Sequence, residues 1–334
     1  MLARIREKSM PPVAAAGRWP VPGAPWLHSG GGSGGTAARP PKASLPETMH
    51  DTNETLTQAL ARNVRDALME DIGRGDWTAQ LVPAGRRVRG RVVAKEAAVI
   101  CGRPWFDACV HALDAAAVID WPVAEGTSVA AGTEVCRIQA DARALLSAER
   151  PGLNFLQTLS ATASVTRQYV DAIAGLSPNP RGCAVLDTRK TLPGLRQAQK
   201  YAVRTGGGQN HRMALWDGIL IKENHIAAAG GIAAALRAAF AMNAGVVVQI
   251  EVESLAELEQ ALAAGAEHVL LDDFALADMQ RACALNAGRA VLEVSGGVDL
   301  VRVREIAATG VDRISVGKLT KDVRAVDLSL RIDG

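Results

Sequence analysis

Six short apolar runs in the second half of the chain each end on a residue able to do chemistry or on a glycine. That punctuation limits the fold more than any other feature. The runs read Cys183-Ala-Val-Leu-Asp187, Gly218-Ile-Leu-Ile-Lys222, Val246-Val-Val-Gln-Ile-Glu251, His268-Val-Leu-Leu-Asp272, Val291-Leu-Glu-Val-Ser295 and Arg313-Ile-Ser-Val-Gly317. Runs this short and this rich in Val, Ile and Leu suit strands buried on both faces. The segments between them have helical period; residues 298–309, apolar at Val298, Leu300, Val301, Val303 and Ile306, predict one such helix. Strand–helix units in series close most simply as a parallel α/β barrel. Strands beginning near 183, 217, 246, 268, 290 and 313 are too few for a complete one, so an incomplete barrel over 151–322 is expected.

A smaller α/β unit precedes it, over 51–150. Leu56, Leu60, Val64 and Leu68 form one stripe and predict a helix over 55–69, broken by the glycines of Glu70-Asp71-Ile-Gly-Arg-Gly-Asp76. Mixed β over 88–101, a helix over 104–113 and short strands over 118–139 follow. Residues 144–176 predict a long helix interrupted near Pro151-Gly152, with Glu149-Arg150 at a helix start. Residues 323–334 alternate and are expected to return to the small unit. Residues 1–50 are rich in Pro, Gly and Ala around Gly30-Gly-Gly-Ser-Gly-Gly35, a composition that predicts disorder. A bland tail, or a true start at Met49, ranks above a targeting segment, and no secretory apolar run is present.

Composition removes several function classes. Net charge is +2, and the first 48 residues hold six basic residues against two acidic ones, so the remainder is slightly acidic. A nucleic-acid reader needs a basic stripe, and none is visible. No run reaches the roughly 18 apolar residues of a membrane span. Five cysteines without CxxC spacing read as core residues in a reducing, cytoplasmic setting, and six histidines form no zinc pattern. Positive charge must therefore act locally, on a small molecule.

The densest constellation is Asp187-Thr-Arg189-Lys190-Thr, then Gly206-Gly-Gly-Gln-Asn-His211-Arg212. Adjacent cations leaving a buried strand repel unless an anion neutralises them, or else they mark a solvated loop edge. Arg grips carboxylate or phosphate with a planar fork, and Lys adds a point charge. Lys222 ends a run with no other reason to carry charge. Gly206–Gly208 suits either an anion nest or a helix cap. Glu251 and Asp272 suit either ion pairs or Mg²⁺ and ribose hydroxyls, since Mg²⁺ uses one or two carboxylates plus phosphate oxygens. Ser295-Gly296-Gly297 and Gly317 follow the last two strands, the usual place for a phosphate cradle.

These motifs, with Arg150-x-x-Leu-Asn-Phe-Leu-Gln, Pro193-Gly-Leu-Arg196 and Leu220-Ile-Lys-Glu-Asn-His225, resemble the quinolinate phosphoribosyltransferase family over residues 54–330. The resemblance implies an N-terminal α/β sandwich plus a six- or seven-stranded barrel. It also implies a homodimer or higher even oligomer in which one sandwich covers the other barrel's mouth. Arg189, His211, Arg212 and Lys222, with Arg150 across the interface, would hold quinolinate. Lys190, Glu251 and Asp272 would serve 5-phosphoribosyl 1-pyrophosphate and Mg²⁺, with Lys190, Glu251 and Asp272 also carrying the catalytic roles. Ser295, Gly296, Gly297 and Gly317 would cradle the 5′-phosphate. The implied reaction is phosphoribosyl transfer with decarboxylation in NAD synthesis. Two departures stand out: Ser160-Ala-Thr-Ala-Ser164 for Ser-Gly-x-Ala-Thr, and Lys318-Leu-Thr-Lys321-Asp322 for Ala-Leu-Thr-His-Ser. The rival readings are a Schiff-base lyase using Lys222 or Lys190, a non-catalytic ligand-binding relative, and a nicotinate-specific transferase.

Overall fold

Local capping fixes the first element. In this computed structural model, which describes residues 53–333, helix α1 (Leu56–Ile72) begins at Thr55. The Thr55 hydroxyl accepts from the Gln58 amide at 3.3 Å, and the Gln58 side chain accepts from the Thr55 amide at 2.8 Å. This reciprocal box satisfies donors that an open helix end would leave bare. Gly73, at φ 49°, ends the helix where the glycines predicted it. The expected tail and the alternative start at Met49 lie outside the described residues.

Next come β1 (Arg87–Ala94), β2 (Ala98–Val99), α2 (Arg103–Leu113), β3 (Val118–Asp120), β4 (Ser128–Val129) and β5 (Glu134–Asp141). Helix α3 (Ala142–Ile173) leads to the barrel. Its strands and helices are β6 (Ala184–Leu186), α4 (Arg196–Thr205), β7 (Ile219–Ile221), α5 (Glu223–Ala229), α6 (Ile232–Ala241), β8 (Val248–Val252) and α7 (Leu255–Ala263). They continue as β9 (His268–Asp272), α8 (Leu276–Asn286), β10 (Val291–Ser295), α9 (Arg302–Ala307), β11 (Arg313–Ser315) and α10 (Lys318–Lys321). The final strand, β12 (Leu328–Ile332), pairs antiparallel with β1, in a four-stranded sheet ordered β12-β1-β5-β3.

Helix α3 corrects one expectation: it runs unbroken through Pro151. Proline in a helix interior costs about 3 kcal/mol. Against that, Leu145, Leu153, Leu156 and Leu159 are almost fully buried, and each contributes about 2 kcal/mol by leaving water. Gly152 adds a close approach, since a Cβ there would lie 3.1 Å from the Phe106 ring on α2. Packing on both sides of the proline therefore overrides the local breaker. Arg150 consequently sits on the exposed side of a continuous helix, not at a helix start.

The barrel sheet has the order β6-β11-β10-β9-β8-β7, every pair parallel, and the described strands leave it open between β6 and β7. A single parallel bridge, Leu186 to Gln209, brings the chain after α4 into that gap. One face of these strands (Val185, Ile250, Val269, Leu271, Leu292, Val294, Ile314) is buried in the core cluster that also takes in helix residues such as Leu236, Leu258 and Met279. The other face is largely buried too, as expected, but much of it is polar. Gln249, Glu251, His268, Asp272, Glu293, Ser295 and Arg313 alternate in phase along neighbouring strands, and so line a polar lumen. Among the described residues no helix is long and apolar enough to cross a membrane.

Where α2 ends, Asp114 ties the small unit together. Its carboxylate accepts from the Asp141 amide (2.8 Å), the Ala116 amide (2.9 Å) and Arg87 (3.1 Å). The Asp141 amide above all, then that of Ala116 and the Arg87 charge, hold its pKa below the ordinary 3.8. A depressed carboxylate stabilises the fold above its unfolded value and loses that contribution as pH falls through the folded one. Asp114→Asn should therefore lower stability in urea titrations at neutral pH, with the gap between wild type and variant closing as pH falls below the ordinary 3.8. A gap of equal size throughout would contradict this assignment.

Candidate active site

The site is organised at the C-terminal end of β6. Asp187 and Lys200, one just past the strand and one on α4, are both fully buried and form an ion pair. The Asp187 carboxylate also accepts from the His211 amide (2.9 Å) and the Asn210 side chain (2.5 Å). Lys200 donates to the His211 carbonyl at 2.9 Å. Burial pushes Asp187 up and Lys200 down, and each opposes the other's shift by its charge. The pair thus pins the segment 209–212 into the gap of the open barrel. Gly206 and Gly208 complete the fit. A Cβ on Gly206 would lie 2.5 Å from the Ala163 carbonyl oxygen, and one on Gly208 would lie 2.8 Å from Thr166. The triple glycine is therefore a helix end packed hard against α3.

Beside this segment two cations meet. The Arg212 guanidinium donates to the Gly218 carbonyl at 2.8 Å. Burial, and then the neighbouring Arg189 charge, hold its pKa below the usual value. The Arg189 Nε is buried and makes no hydrogen bond. Arg196 donates to Thr191 (3.2 Å) and, at 3.4 Å each, to the Arg189 and Met213 carbonyls, fastening the turn that carries Arg189 to the segment that carries Arg212. Two adjacent guanidiniums with a bare buried donor are a place for an anion.

The lumen carries the rest in tiers. At the top, Lys222 donates to Glu251 at 2.7 Å and the Ser295 hydroxyl donates to Asp272 at 2.5 Å. Beside them lies a cleft of about 550 Å³ whose lining includes Lys190, Asp272, Ser295, Gly296, Gly297 and Gly317. Gly296 has φ 102° and packs against Asp273, while a Cβ on Gly317 would sit 3.1 Å from Lys190 Cδ. These glycines leave the lysine and backbone room at the cleft. Lys318 and Lys321, both in the second departure from the family pattern, line the same cleft. Arg150 stands apart: it is exposed on α3, 3.9 Å from Glu149, and bonds none of these residues within the described chain.

One tier lower are residues that sequence reasoning gave no role. Gln249 donates to Glu293 at 3.0 Å, and the His211 ring meets Gln249 at 3.0 Å. Their signal was the strand alternation, in phase with Glu251 and Ser295. Asp187 and Lys200 were visible within motifs, but nothing in their spacing announced a buried pair. Among the described residues no three His, Cys, Asp or Glu converge as a metal cage. Glu251 and Asp272 each keep one carboxylate oxygen free of the hydrogen bonds described, a donor set that fits a cation arriving with phosphate oxygens.

An open parallel barrel with an anion-receiving mouth is thus the class that fold and site define. The family model described as quinolinate phosphoribosyl transferase, C-terminal domain, matches residues 162–331, and the N-terminal domain model matches 76–160. The chain is 43% identical over 277 residues to the nicotinate-nucleotide pyrophosphorylase [carboxylating] of Mycobacterium leprae, covering 80% of this chain and 95% of that one. It is 36% identical to a probable enzyme of the same name from Bacillus subtilis, over 79% of this chain and 90% of that one. The solved nicotinate-nucleotide pyrophosphorylase of Francisella tularensis superposes with a TM-score of 0.80 at 42% identity, covering 85% of this chain and all of that one. This chain belongs to the quinolinate phosphoribosyl transferase family.

Lys200→Met would leave Asp187 charged and unpartnered in the interior, which typically costs about 3–5 kcal/mol. Denaturant melts of the variant should show a loss of that size. A loss under about 1 kcal/mol would mean that the pair does not anchor the segment.

Proposed function

We propose that this protein transfers the phosphoribosyl group of 5-phosphoribosyl 1-pyrophosphate to quinolinate, releasing pyrophosphate and CO₂ and leaving nicotinate mononucleotide. The observation that carries this reading is the Arg189–Arg212 pair: Arg212 lies close enough to feel the Arg189 charge, and the buried Arg189 Nε makes no hydrogen bond among the described residues. Arg189, Arg212 and Lys222 grip the two ring carboxylates, and that grip sets the pyridine nitrogen against the anomeric carbon. Lys190 and the Ser295-Gly296-Gly297 and Gly317 turns take the phosphates. Glu251 and Asp272 would hold Mg²⁺, which supplies charge neutralisation for the leaving pyrophosphate.

The ring nitrogen attacks the anomeric carbon as the bond to pyrophosphate breaks through an oxocarbenium-like centre, which the Glu251 and Asp272 carboxylates stabilise. The nitrogen is then cationic. The 2-carboxylate leaves as CO₂, its bonding electrons staying on the ring carbon beside N⁺, and a proton replaces it. Positioning and charge placement are the protein's contribution. Arg150, exposed on α3, reaches the site of a second copy in a homodimer. A free Lys222 amine, as a Schiff-base lyase requires, is disfavoured by its bond to Glu251.

Incubation with quinolinate, the phosphoribosyl donor and Mg²⁺ should yield CO₂ and nicotinate mononucleotide, and chelating the metal should stop it. Arg212→Ala should cut turnover of quinolinate by about a hundredfold or more with the fold intact by circular dichroism, the loss of one charge-assisted clamp. Near-normal activity would overturn the dicarboxylate reading.

A further inference from the structure

The family resemblance offers His211 as a quinolinate ligand, yet both of its ring nitrogens are already engaged inside the protein. Nδ1 accepts from the Arg212 backbone N–H at 2.7 Å. Nε2 lies 3.0 Å from Gln249 Oε1 and 3.5 Å from Glu293 Oε1. Gln249 is oriented by Glu293, because its amide nitrogen donates to Glu293 Oε2 at 3.0 Å, which turns its oxygen to the histidine. A carboxylate can only accept, so the direction of the chain is set from its buried end. Glu293 is 1% exposed, and its Oε1 makes no hydrogen bond. Nε2 therefore faces two acceptors and must carry the ring proton, while Nδ1 is left to receive the Arg212 amide.

We propose that Glu293 is a positioning residue for the dicarboxylate clamp, acting through Gln249 and His211 to hold the backbone of Arg212. The clamp needs such a prop. Arg212 is repelled by Arg189, and the guanidinium's bond to the Gly218 carbonyl, its only one among the described residues, fixes only one end of it. The histidine ring bonds the amide of the residue that carries the guanidinium, so a ring with its proton moved to Nδ1 would present a donor to that amide and displace it. Buried partners that fix a ligand's tautomer and direction act in this way at metal sites, and the physics is the same here. The inference rests on the function proposed above and adds to it a residue that touches neither substrate.

The test is the variant Glu293→Gln, whose amide offers Nε2 of His211 a donor in place of an acceptor. Long-range ¹⁵N correlation spectra should show His211 with its proton on Nε2 in wild type and a changed tautomer distribution in the variant. The KM for quinolinate should rise about tenfold while the KM for the phosphoribosyl donor and the melting temperature stay near wild type. Gln249→Met, which cuts the chain at its middle, should raise the same KM and serves if Glu293→Gln does not fold. A wild-type His211 protonated on Nδ1, an unchanged quinolinate KM, or equal increases in both KM values would overturn the proposal. Wild-type protein inactive on quinolinate would instead strike at the proposed function, and the tautomer measurement would still decide the role of Glu293.

Discussion

A charge pair sealed from water, Asp187 with Lys200, sits where β6 ends, and the arrangement of the barrel mouth hangs on it. The sheet is open on the side of β6, and segment 209–212 fills the opening. A strand there would be held by a full ladder. This segment has one bridge plus the bonds that Asp187 and Lys200 make to Asn210 and His211. Buried pairs seldom add much stability over apolar replacements, but losing one partner is costly. The pair therefore acts as a clasp of fixed geometry, and what it clasps is the backbone that bears Arg212.

That geometry creates a tension. Arg212 is brought near Arg189, a second cation, in a half-buried setting where water screens them poorly. A protein stores such repulsion only when the surrounding bonds over-determine the positions, and here Arg196, the Gly218 carbonyl and the His211 ring do so together. In the proposed reading a dianionic ring relieves the repulsion, which makes the ligand's second carboxylate the group the site was shaped to read. Paired Lys222–Glu251 and Ser295–Asp272 contacts keep the upper tier oriented before any phosphate arrives.

Much of this was legible from residue order. The six apolar runs, each ending on a chemical group, marked the barrel strands. Thr55 and Gly73 marked the ends of the first helix, because caps and breakers act over three or four residues. Pro151 misled for the complementary reason: its local penalty is real, but the leucines that outweigh it bury themselves against elements distant in sequence. The polar lumen was half-visible. Gln249 and Glu293 stood within runs read as strands buried on both faces, and only the register of neighbouring strands shows that they share a side with Glu251 and Ser295. Ion-pair partners thirteen residues apart, such as Asp187 and Lys200, become neighbours only once α4 has folded back over β6.

The central claim is that the clasped arginines read two carboxylates, and equilibrium binding tests it without any chemistry. Quinolinate and nicotinate differ by one carboxylate, so calorimetric titration of each into wild type and into the Arg189→Ala/Arg212→Ala double variant isolates that charge. Wild type should prefer quinolinate by about a hundredfold, the worth of one charge-assisted clamp, and the double variant should lose most of that preference. Equal affinity for the two acids in wild type, or an undiminished preference in the double variant, would contradict the account.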